Sequence, residues 1–386
     1  MRLEITYLLD VIRYILNEQV NAVPLPSSDM DWKSLFSYAK KHSIFNMLYY
    51  GVKELPEEHR PDATFFAKLD YDTMHGIAIG VNQEEAAKEI EQTFEQEGIR
   101  LLAVKGICTR KRYPFPELRT MGDIDLLYQA FQTKKMQDAM EGLGYGDGEE
   151  GRKHDSFFRP PCLGIEMHRE LLAADSKYYS YYEDIWERVQ LKKGRKYIYK
   201  MSLEDEYIYS ILHLVEHFQN GGIGIRFVMD VYVYNHLEDM NWDYVKAELR
   251  KLELLEFYTN ISRLAEKWFG DEEEQNEDND LIKEIEAYIL SNGTFGTSRN
   301  AAAAAVAKEG RTKFLLKTVF PDLENMKTMF PWLEKWPVLL PYSWALRGVR
   351  SVLFRRKNIA IQMKKLQQGD REYGNQLKVF YKACGL

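Results

Sequence analysis

The chain has 386 residues, with 52 Lys and Arg against 59 Asp and Glu, which gives a formal charge of -7 at pH 7. This balance argues against a general nucleic-acid coat and a polybasic membrane binder, because phosphate-rich surfaces attract net-positive proteins. A composition of 45% hydrophobic and 29% charged residues is typical of a globular protein and excludes intrinsic disorder. The length predicts two or three structural units.

Cysteine usage and the N-terminus bear on localisation. The three cysteines are far apart and form no Cys-x-x-Cys motif, so neither a disulfide framework nor a thiolate zinc site is supported and a cytoplasmic protein is expected. Charged residues interrupt the apolar positions of 1–18, which excludes a signal-peptide core and a membrane span there. We expect instead an amphipathic helix with Leu8, Ile12 and Ile15 on one side.

Helical patterns dominate residues 1–98, which we expect to form an N-terminal helical region. Asp31 has the position of a helix N-cap, because apolar residues at helical spacing follow it. A longer helical pattern begins at Asp62 and ends at Gly98, a residue type favoured at helix C-termini.

The pattern changes to α+β at residue 99. The short apolar run 99–104 predicts a buried strand, and 123–128 and 165–168 predict two more. A helix is predicted over 134–143, followed by a polar, glycine-rich, hairpin-like stretch. Residues 99–170 are therefore expected to be a compact α+β core within an otherwise helical protein.

The remaining chain is expected to be helical over 171–270 and 281–386, with the first of these lining a cleft. Between them, 271–280 contains seven acids and no base, which is typical of a solvated loop or helix end. This block alone contributes -7, so the rest of the chain is formally neutral and net charge does not exclude a polyanionic partner. A basic, amphipathic C-terminal run favours a solvated helix, with RNA, an acidic partner or anionic lipid as alternatives. Its residues are Arg347, Arg350, Arg355, Arg356, Lys357, Lys364 and Lys365.

Asp123 and Asp125 form the most informative motif, because residues i and i+2 of a strand point to the same face. Two carboxylates so close repel each other unless a cation lies between them. Hard divalent ions, Mg²⁺ above all, are the usual solution. Glu166 on the next predicted strand supplies a third acid, and the three could hold two metal ions for an in-line phosphoryl displacement. Taken alone, an Asp pair of this kind more often only caps a strand end or faces solvent, and it is the flanking residues that favour a metal site.

Neighbouring residues favour a triphosphate site. Lys105 and Gly106 lie at a predicted strand-to-helix turn, where glycine lets the backbone approach phosphate and helix N–H groups attract anions. Arg119 precedes the first acid by four residues and offers a planar fork of donors. His168 shares the strand face of Glu166; it could contact metal, phosphate or acceptor, or orient a neighbouring residue.

In combination these motifs resemble the uncharacterised bacterial nucleotidyltransferase family of the polymerase β-like superfamily. The matching strings are residues 102–106, 113–114, 119–127 and 165–168, with further similarity at 31–42, 213–230 and 320–350. The resemblance implies a polymerase β-like nucleotidyltransferase core, a small mixed sheet with helices, embedded in mainly helical N- and C-terminal regions.

The same resemblance assigns roles to the acids. Asp123 and Asp125 match the paired metal-binding acids, and Glu166 matches the third acid, which helps to hold the catalytic metal and assists deprotonation of the attacking hydroxyl. The wider superfamily has Gly-Ser on its phosphate-binding turn, whereas here Gly106 is followed by Ile. The serine contact is therefore missing, and Lys105 is the candidate to replace it.

The resulting hypothesis is an enzyme that uses Mg²⁺, with two ions expected, to move an NMP from an NTP to a hydroxyl-bearing acceptor with release of pyrophosphate. A small-molecule acceptor is favoured, and a tRNA or protein acceptor stays open. A non-catalytic nucleotide-binding or toxin-antitoxin-type interaction protein is the alternative.

A less favoured alternative is a zinc hydrolase, because His213 and His217 lie in an HxxEH pattern on a predicted helix. The pattern also fits two partly buried helix histidines. In the nucleotidyltransferase hypothesis, His217, Arg226 and Asp230 are candidates to line the helical side of the cleft.

Overall fold

The computed structural model describes residues 2–18, 22–150, 154–161, 163–270, 279–294, 296–327, 329–354 and 371–386. The chain forms two compact units, one of Met1–His213 with Ile225–Ala287 and the other of Leu214–Gly224 with Tyr288–Leu386. The acidic block up to residue 278 and the basic run from residue 355 to 365 lie outside the described residues.

Within residues 2–18 and 22–97 the structure describes four α-helices, and capping residues set the ends of two of them. They are α1 (Leu3–Leu16), α2 (Trp32–Lys41), α3 (Phe45–Lys53) and α4 (Ala63–Glu97). The three apolar residues predicted for the inner side of α1 are buried. Asp31 accepts hydrogen bonds from the backbone N–H groups of residues 33 and 34, and Asp62 caps α4 in the same way. Gly98 ends α4 with φ +69°, a left-handed conformation that glycine adopts without steric cost. The predicted caps are therefore confirmed.

A seven-stranded mixed sheet forms the core of the first unit, with strand order β3-β4-β5-β2-β1-β7-β6. Its strands are β1 (Leu101–Val104), β2 (Ile124–Tyr128), β3 (Gly146–Glu150), β4 (His154–Arg159), β5 (Leu163–His168), β6 (Gln190–Leu191) and β7 (Ile198–Lys200). Strand β2 pairs parallel with β5 and antiparallel with β1. Two helices belong to the sheet region, α5 (Gly106–Thr109) after β1 and α6 (Thr133–Gly142) after β2. Apolar residues of α4 and α6 pack on the sheet in one continuous core. The expected α+β architecture is thus confirmed, and the sheet extends beyond 99–170 to include residues 190–200.

Strands β6 and β7 lie within 171–270, where we expected helices throughout, and that expectation was wrong at these two positions. Strand β7 has three residues, of which only Ile198 is buried, and both residues of β6 are exposed. Runs this short carry no readable periodicity. The pairing depends on a distant strand, since the Leu101 N–H donates to the Tyr197 carbonyl and β1 continues parallel to β7.

Helices joined by loops make up the rest of the chain that the structure describes. Those before residue 292 are α7 (Tyr179–Tyr182), α8 (Ile185–Arg188), α9 (Leu203–Asn220), α10 (Ile225–Asn235), α11 (Trp242–Lys251), α12 (Leu255–Phe269) and α13 (Asp280–Ser291). Helix α10 is buried from residue 225 to 234 and packs on α12, which packs on α1. A helix so enclosed must satisfy its polar side chains internally, and this places the Arg and Asp of α10 in the interior.

The second unit has its own small core. Its later helices are α14 (Ser298–Glu309), α15 (Arg311–Val319), α16 (Leu323–Lys327), α17 (Leu340–Phe354) and α18 (Arg371–Ala383). Helix α14 packs against α18, and Met326, Phe330 and Leu333 form a buried cluster. Throughout the described part of the chain, every helix is too short or too polar to cross a lipid bilayer.

Candidate active site

The strand register brings four polar side chains to one face of the sheet. Asp125 of β2 lies opposite Glu166 of β5, and His168 of β5 lies opposite His154 of β4. Glu166 and His168 are two residues apart and therefore share a face. The result is two adjacent rows of side chains, one with the two acids and one with the two imidazoles.

Contacts join these residues and Lys105 into what we call the acid cluster (Lys105, Asp125, His154, Glu166 and His168). Lys105 Nζ lies 2.6 Å from Asp125 Oδ1, and His168 Nε2 lies 2.8 Å from the same oxygen. His168 Nε2 is also 3.3 Å from Glu166 Oε2, while His154 Nε2 is 3.4 Å from Glu166 Oε1. Asp125 therefore has two nitrogen partners, and Glu166 lies between two imidazoles.

The ionisation of these acids follows from their partners. Burial would raise the pKa of Asp125, but Lys105 and His168 outweigh it and hold the pKa well below the usual value. The hydrogen bond from His168 lowers the pKa of Glu166. Burial lowers the pKa of His168, but the bonds to the Asp125 and Glu166 carboxylates raise it by more than burial lowers it. The net result is a raised pKa. At neutral pH both acids are carboxylates.

Asp123 lies just before β2, beside Gly164 of β5. Burial raises its pKa to about 6, and the negative charges of Asp125 and Glu166 add to the shift. The three acids predicted as metal ligands therefore share one electrostatic environment, and their oxygen donors suit Mg²⁺. Among the described residues, the group of His, Cys, Asp and Glu whose ligand atoms all lie within 4.8 Å is His154, Glu166 and His168.

Lys105 reaches the acids from a sharp turn after β1. Its backbone has φ +57° and ψ -132°, a conformation that costs a non-glycine residue about 1–2 kcal/mol. Gly106 follows, and a Cβ there would lie 3.0 Å from the Met121 side chain, which would have to shift to make room for it. Burial would lower the pKa of Lys105, but Tyr209 and Asp125 outweigh it, so the pKa is raised and the ammonium stays charged.

Arg119 belongs to a second group, the arginine cluster (Tyr113, Arg119, Arg226 and Asp230). Its Nε and Nη2 atoms donate to the two Asp230 oxygens at 2.8 and 2.9 Å, and Nη1 donates to the Thr120 carbonyl at 2.9 Å. The Tyr113 hydroxyl donates to Asp230 Oδ1 at 2.7 Å. The predicted phosphate contact of Arg119 stays a prediction, and in this structure its guanidinium is paired with an acid of α10.

Arg226 is the less satisfied arginine of this cluster. Nη1 donates to the Thr120 carbonyl at 3.1 Å, and the buried Nε has no hydrogen-bond partner. Burial and the positive charge of Arg119 lower its pKa to about 9, whereas Asp230 and Asp123 oppose the shift. Asp230 pairs with Arg119 and acts on Arg226 through its charge, so two arginines and one acid leave the cluster with one surplus positive charge, and Asp123 is close enough to affect the pKa of Arg226.

The structure adds residues that the sequence did not single out. The sequence alone assigns no role to His154. Only its position in the hairpin β4-β5, where it pairs with His168, could have indicated one. Asp230 was a candidate for the cleft, but its pairing with Arg119 spans 111 residues of chain. His213 and His217 of α9 lie outside the metal-capable group found among the described residues.

Comparison with known proteins bears on the whole of this region. Residues 28–270 match the model of a family described as uncharacterised nucleotidyltransferase. No curated protein and no solved structure matches the chain. The matched segment includes all seven strands, the acid cluster and the arginine cluster. Because it spans more than half of the chain, the protein belongs to the uncharacterised nucleotidyltransferase family.

Proposed function

We propose that the protein is a Mg²⁺-dependent nucleotidyltransferase that moves an NMP from an NTP to a hydroxyl-bearing acceptor and releases pyrophosphate. The observation that carries the proposal is the convergence of three carboxylates with a charged lysine on one sheet face, within a nucleotidyltransferase family. The intact set of acids favours catalysis over a binding role alone.

Asp123, Asp125 and Glu166 would hold the metal. Their oxygen donors and shared negative field are those that Mg²⁺ requires. When bound, Mg²⁺ neutralises charge on the phosphates and polarises the phosphoryl oxygens.

The proposed reaction is an in-line displacement. The acceptor oxygen forms a bond to the α-phosphorus, the bond from that phosphorus to the bridging oxygen breaks, and pyrophosphate leaves with the bond electrons. Glu166 orients the acceptor hydroxyl and takes its proton, which its ionised state permits. His168 holds the carboxylates of Asp125 and Glu166 in place through its contacts to both.

Three cations are proposed to balance the triphosphate. Lys105 is charged and 2.6 Å from Asp125, so it lies where the phosphates would meet the acids. Arg226 has an Nε without a hydrogen-bond partner, and it is close enough to Asp123 for the charge of that acid to affect its pKa. It is therefore the second candidate for direct phosphate contact. Arg119 is proposed to contribute positive charge without contacting the phosphates, because its guanidinium is paired with Asp230.

The experiment follows α-labelled NTPs with Mg²⁺, using water and pools of small hydroxyl compounds as acceptors, and measures labelled product and pyrophosphate. Asp125→Asn should lower transfer by at least about 10³-fold, roughly 4 kcal/mol, because it removes a charge-stabilising ligand. Asp138→Asn is the matched control, since Asp138 is an exposed residue of α6. Transfer that is unchanged in Asp125→Asn would overturn the assignment. NTP binding without transfer to any acceptor would favour the non-catalytic alternative.

A further inference from the structure

We infer that His154, Glu166 and His168 form a site for a divalent transition-metal ion, a different ligand chemistry from the all-carboxylate Mg²⁺ site. The inference refines the proposed function and rests on it for the shared use of Glu166. It stands on the geometry of two neighbouring strands, β4 and β5.

The spacing of the three side chains fits one ion. Their ligand atoms all lie within 4.8 Å of one another. Glu166 Oε1 is 3.4 Å from His154 Nε2, and Glu166 Oε2 is 3.3 Å from His168 Nε2. Ligand atoms bound to one ion at about 2.0–2.1 Å lie roughly 3.0–3.5 Å apart. Each imidazole is already in that interval from a different oxygen of Glu166, so one ion would need either both oxygens of Glu166 or a shift of the side chains that brings all three ligand atoms closer than 4.8 Å.

The sheet builds this arrangement rigidly. His154 of β4 is the direct antiparallel neighbour of His168 on β5, and their rings lie 5.0 Å apart. Glu166 is two residues before His168 and lies on the same face. His168 is buried, while Glu166 and His154 are part-exposed, so solvent reaches the group through Glu166 and His154. Ligands on paired strands are held more precisely than ligands on loops.

Ligand chemistry decides which ion the site prefers. Imidazole nitrogen suits Zn²⁺ and related first-row ions, whereas Mg²⁺ prefers oxygen ligands and keeps several waters. Two histidines and one carboxylate also leave coordination positions open to water or substrate. His168 Nε2 is the atom that lies 2.8 Å from Asp125, so an ion bound there would replace that contact and lie next to the proposed catalytic acids.

The test uses the full chain and Mn²⁺, with electron paramagnetic resonance to measure binding and nitrogen hyperfine coupling from coordinated imidazole. We expect a bound Mn²⁺ with nitrogen coupling. Replacement of either histidine, His154→Ala or His168→Ala, should weaken binding at least about tenfold and reduce the coupling. His75→Ala is the matched control, because His75 is an exposed histidine of α4. Zn²⁺ should displace the Mn²⁺ at much lower concentration than Mg²⁺ does.

Three results would overturn the inference: no Mn²⁺ binding, binding without nitrogen coupling, or equal affinity in the wild type and His154→Ala. The His154→Ala variant is expected to fold, because the His154 side chain is 31% exposed and its removal leaves little of the core unfilled. Asp123→Asn separates the two proposals. It should abolish nucleotide transfer and keep the nitrogen-coupled Mn²⁺. A wild type that binds such Mn²⁺ but never transfers a nucleotide would refute the proposed function and leave the metal site standing.

Discussion

The acid cluster and the arginine cluster both concentrate charge in the first unit, yet they are built differently. In the acid cluster, Asp125 is buried in close contact with Lys105 and His168, but Glu166 and His154 are 25% and 31% exposed and lie 3.4 Å apart. In the arginine cluster, Arg119 and Asp230 are at most 8% exposed and form a two-point contact at 2.8 and 2.9 Å. The acid cluster can therefore exchange contacts among its own side chains for contacts with a ligand. The arginine cluster is expected to keep the contact between Arg119 and Asp230.

The largest effect is expected when the buried pair is broken. Asp230→Ala leaves Arg119 and Arg226 buried without their common acid, and the Tyr113 hydroxyl loses its acceptor. Loss of one partner of a buried ion pair costs about 3–5 kcal/mol. We expect the free energy of unfolding, from urea denaturation, to fall by that amount.

The control for this prediction is Asp138→Ala, which breaks an exposed contact with Lys134 on α6. Exposed pairs of this kind contribute about 0–1 kcal/mol. If the two variants lose equal stability, the arginine cluster is not the structural element that its burial indicates.

In the acid cluster, loss of a partner should lower nucleotide transfer more than it lowers folding stability. Lys105→Met removes the ammonium, but Asp125 keeps its bond to His168. We expect nucleotide transfer to fall about 10²-fold, near 2.7 kcal/mol, with a smaller loss of folding stability. Lys111→Met, at an exposed lysine of the same region, should leave transfer unchanged. A variant that unfolds but retains activity per folded molecule would contradict the distinction between the clusters.

Arg226 tests whether the surplus charge of the arginine cluster serves a ligand. Arg226→Met removes a buried cation that lacks a full set of partners and is repelled by Arg119. Stability should therefore stay within about 1 kcal/mol of wild type or rise. The affinity for a non-hydrolysable fluorescent NTP should fall by roughly 20-fold, about 1.8 kcal/mol, because a charged contact to phosphate is lost.

Arg250→Met, at an exposed arginine of α11, is the control for this affinity measurement. Unchanged NTP affinity in Arg226→Met would remove that residue from the proposed phosphate site. A large loss of stability would show that it acts as a structural partner of Asp230.

The two clusters also differ in how far the sequence predicts them. Three predicted strands and the i, i+2 spacing were enough to bring Asp125, Glu166 and His168 together, because strand alternation is a local property. His154 was missed because its position depends on the register of a hairpin, which neighbouring residues do not specify.

The arginine cluster depends on tertiary structure alone. Arg119 and Asp230 are 111 residues apart and belong to a loop and a buried helix. Nothing in the local pattern around Arg119 distinguishes a phosphate ligand from one half of a buried pair, because both roles require the same guanidinium. Strands β6 and β7 were missed for a related reason: β7 pairs with β1 across the 97 residues between Leu101 and Ile198, and β6 pairs with β7.

The smallest predicted effect concerns how α10 is held. His42 is fully buried, and its Nδ1 accepts a hydrogen bond from the Ile225 N–H at the first residue of α10. Burial lowers the pKa of His42 to about 3. The unfolded chain, with a pKa near the ordinary value of about 6.5, therefore binds a proton over a pH range in which the folded chain does not. Stability from this residue is fully present above pH 6.5 and is lost as the pH falls toward 3.

Between pH 7.5 and pH 5.5 the loss attributable to His42 should be about 1.4 kcal/mol, from roughly 1.36 kcal/mol per pH unit below the unfolded pKa. Urea denaturation of the wild type and of His42→Asn at both pH values measures this loss, as the difference between the two proteins in how much stability each loses. The Asn amide oxygen can accept the same hydrogen bond but does not titrate. His75→Asn, at an exposed histidine, should show no such difference from wild type. If His42→Asn keeps the full pH dependence of the wild type, the anchoring of α10 does not depend on a neutral imidazole. The position of Arg226 would then have to come from its bond to the Thr120 carbonyl and from the packing of α10 on α12.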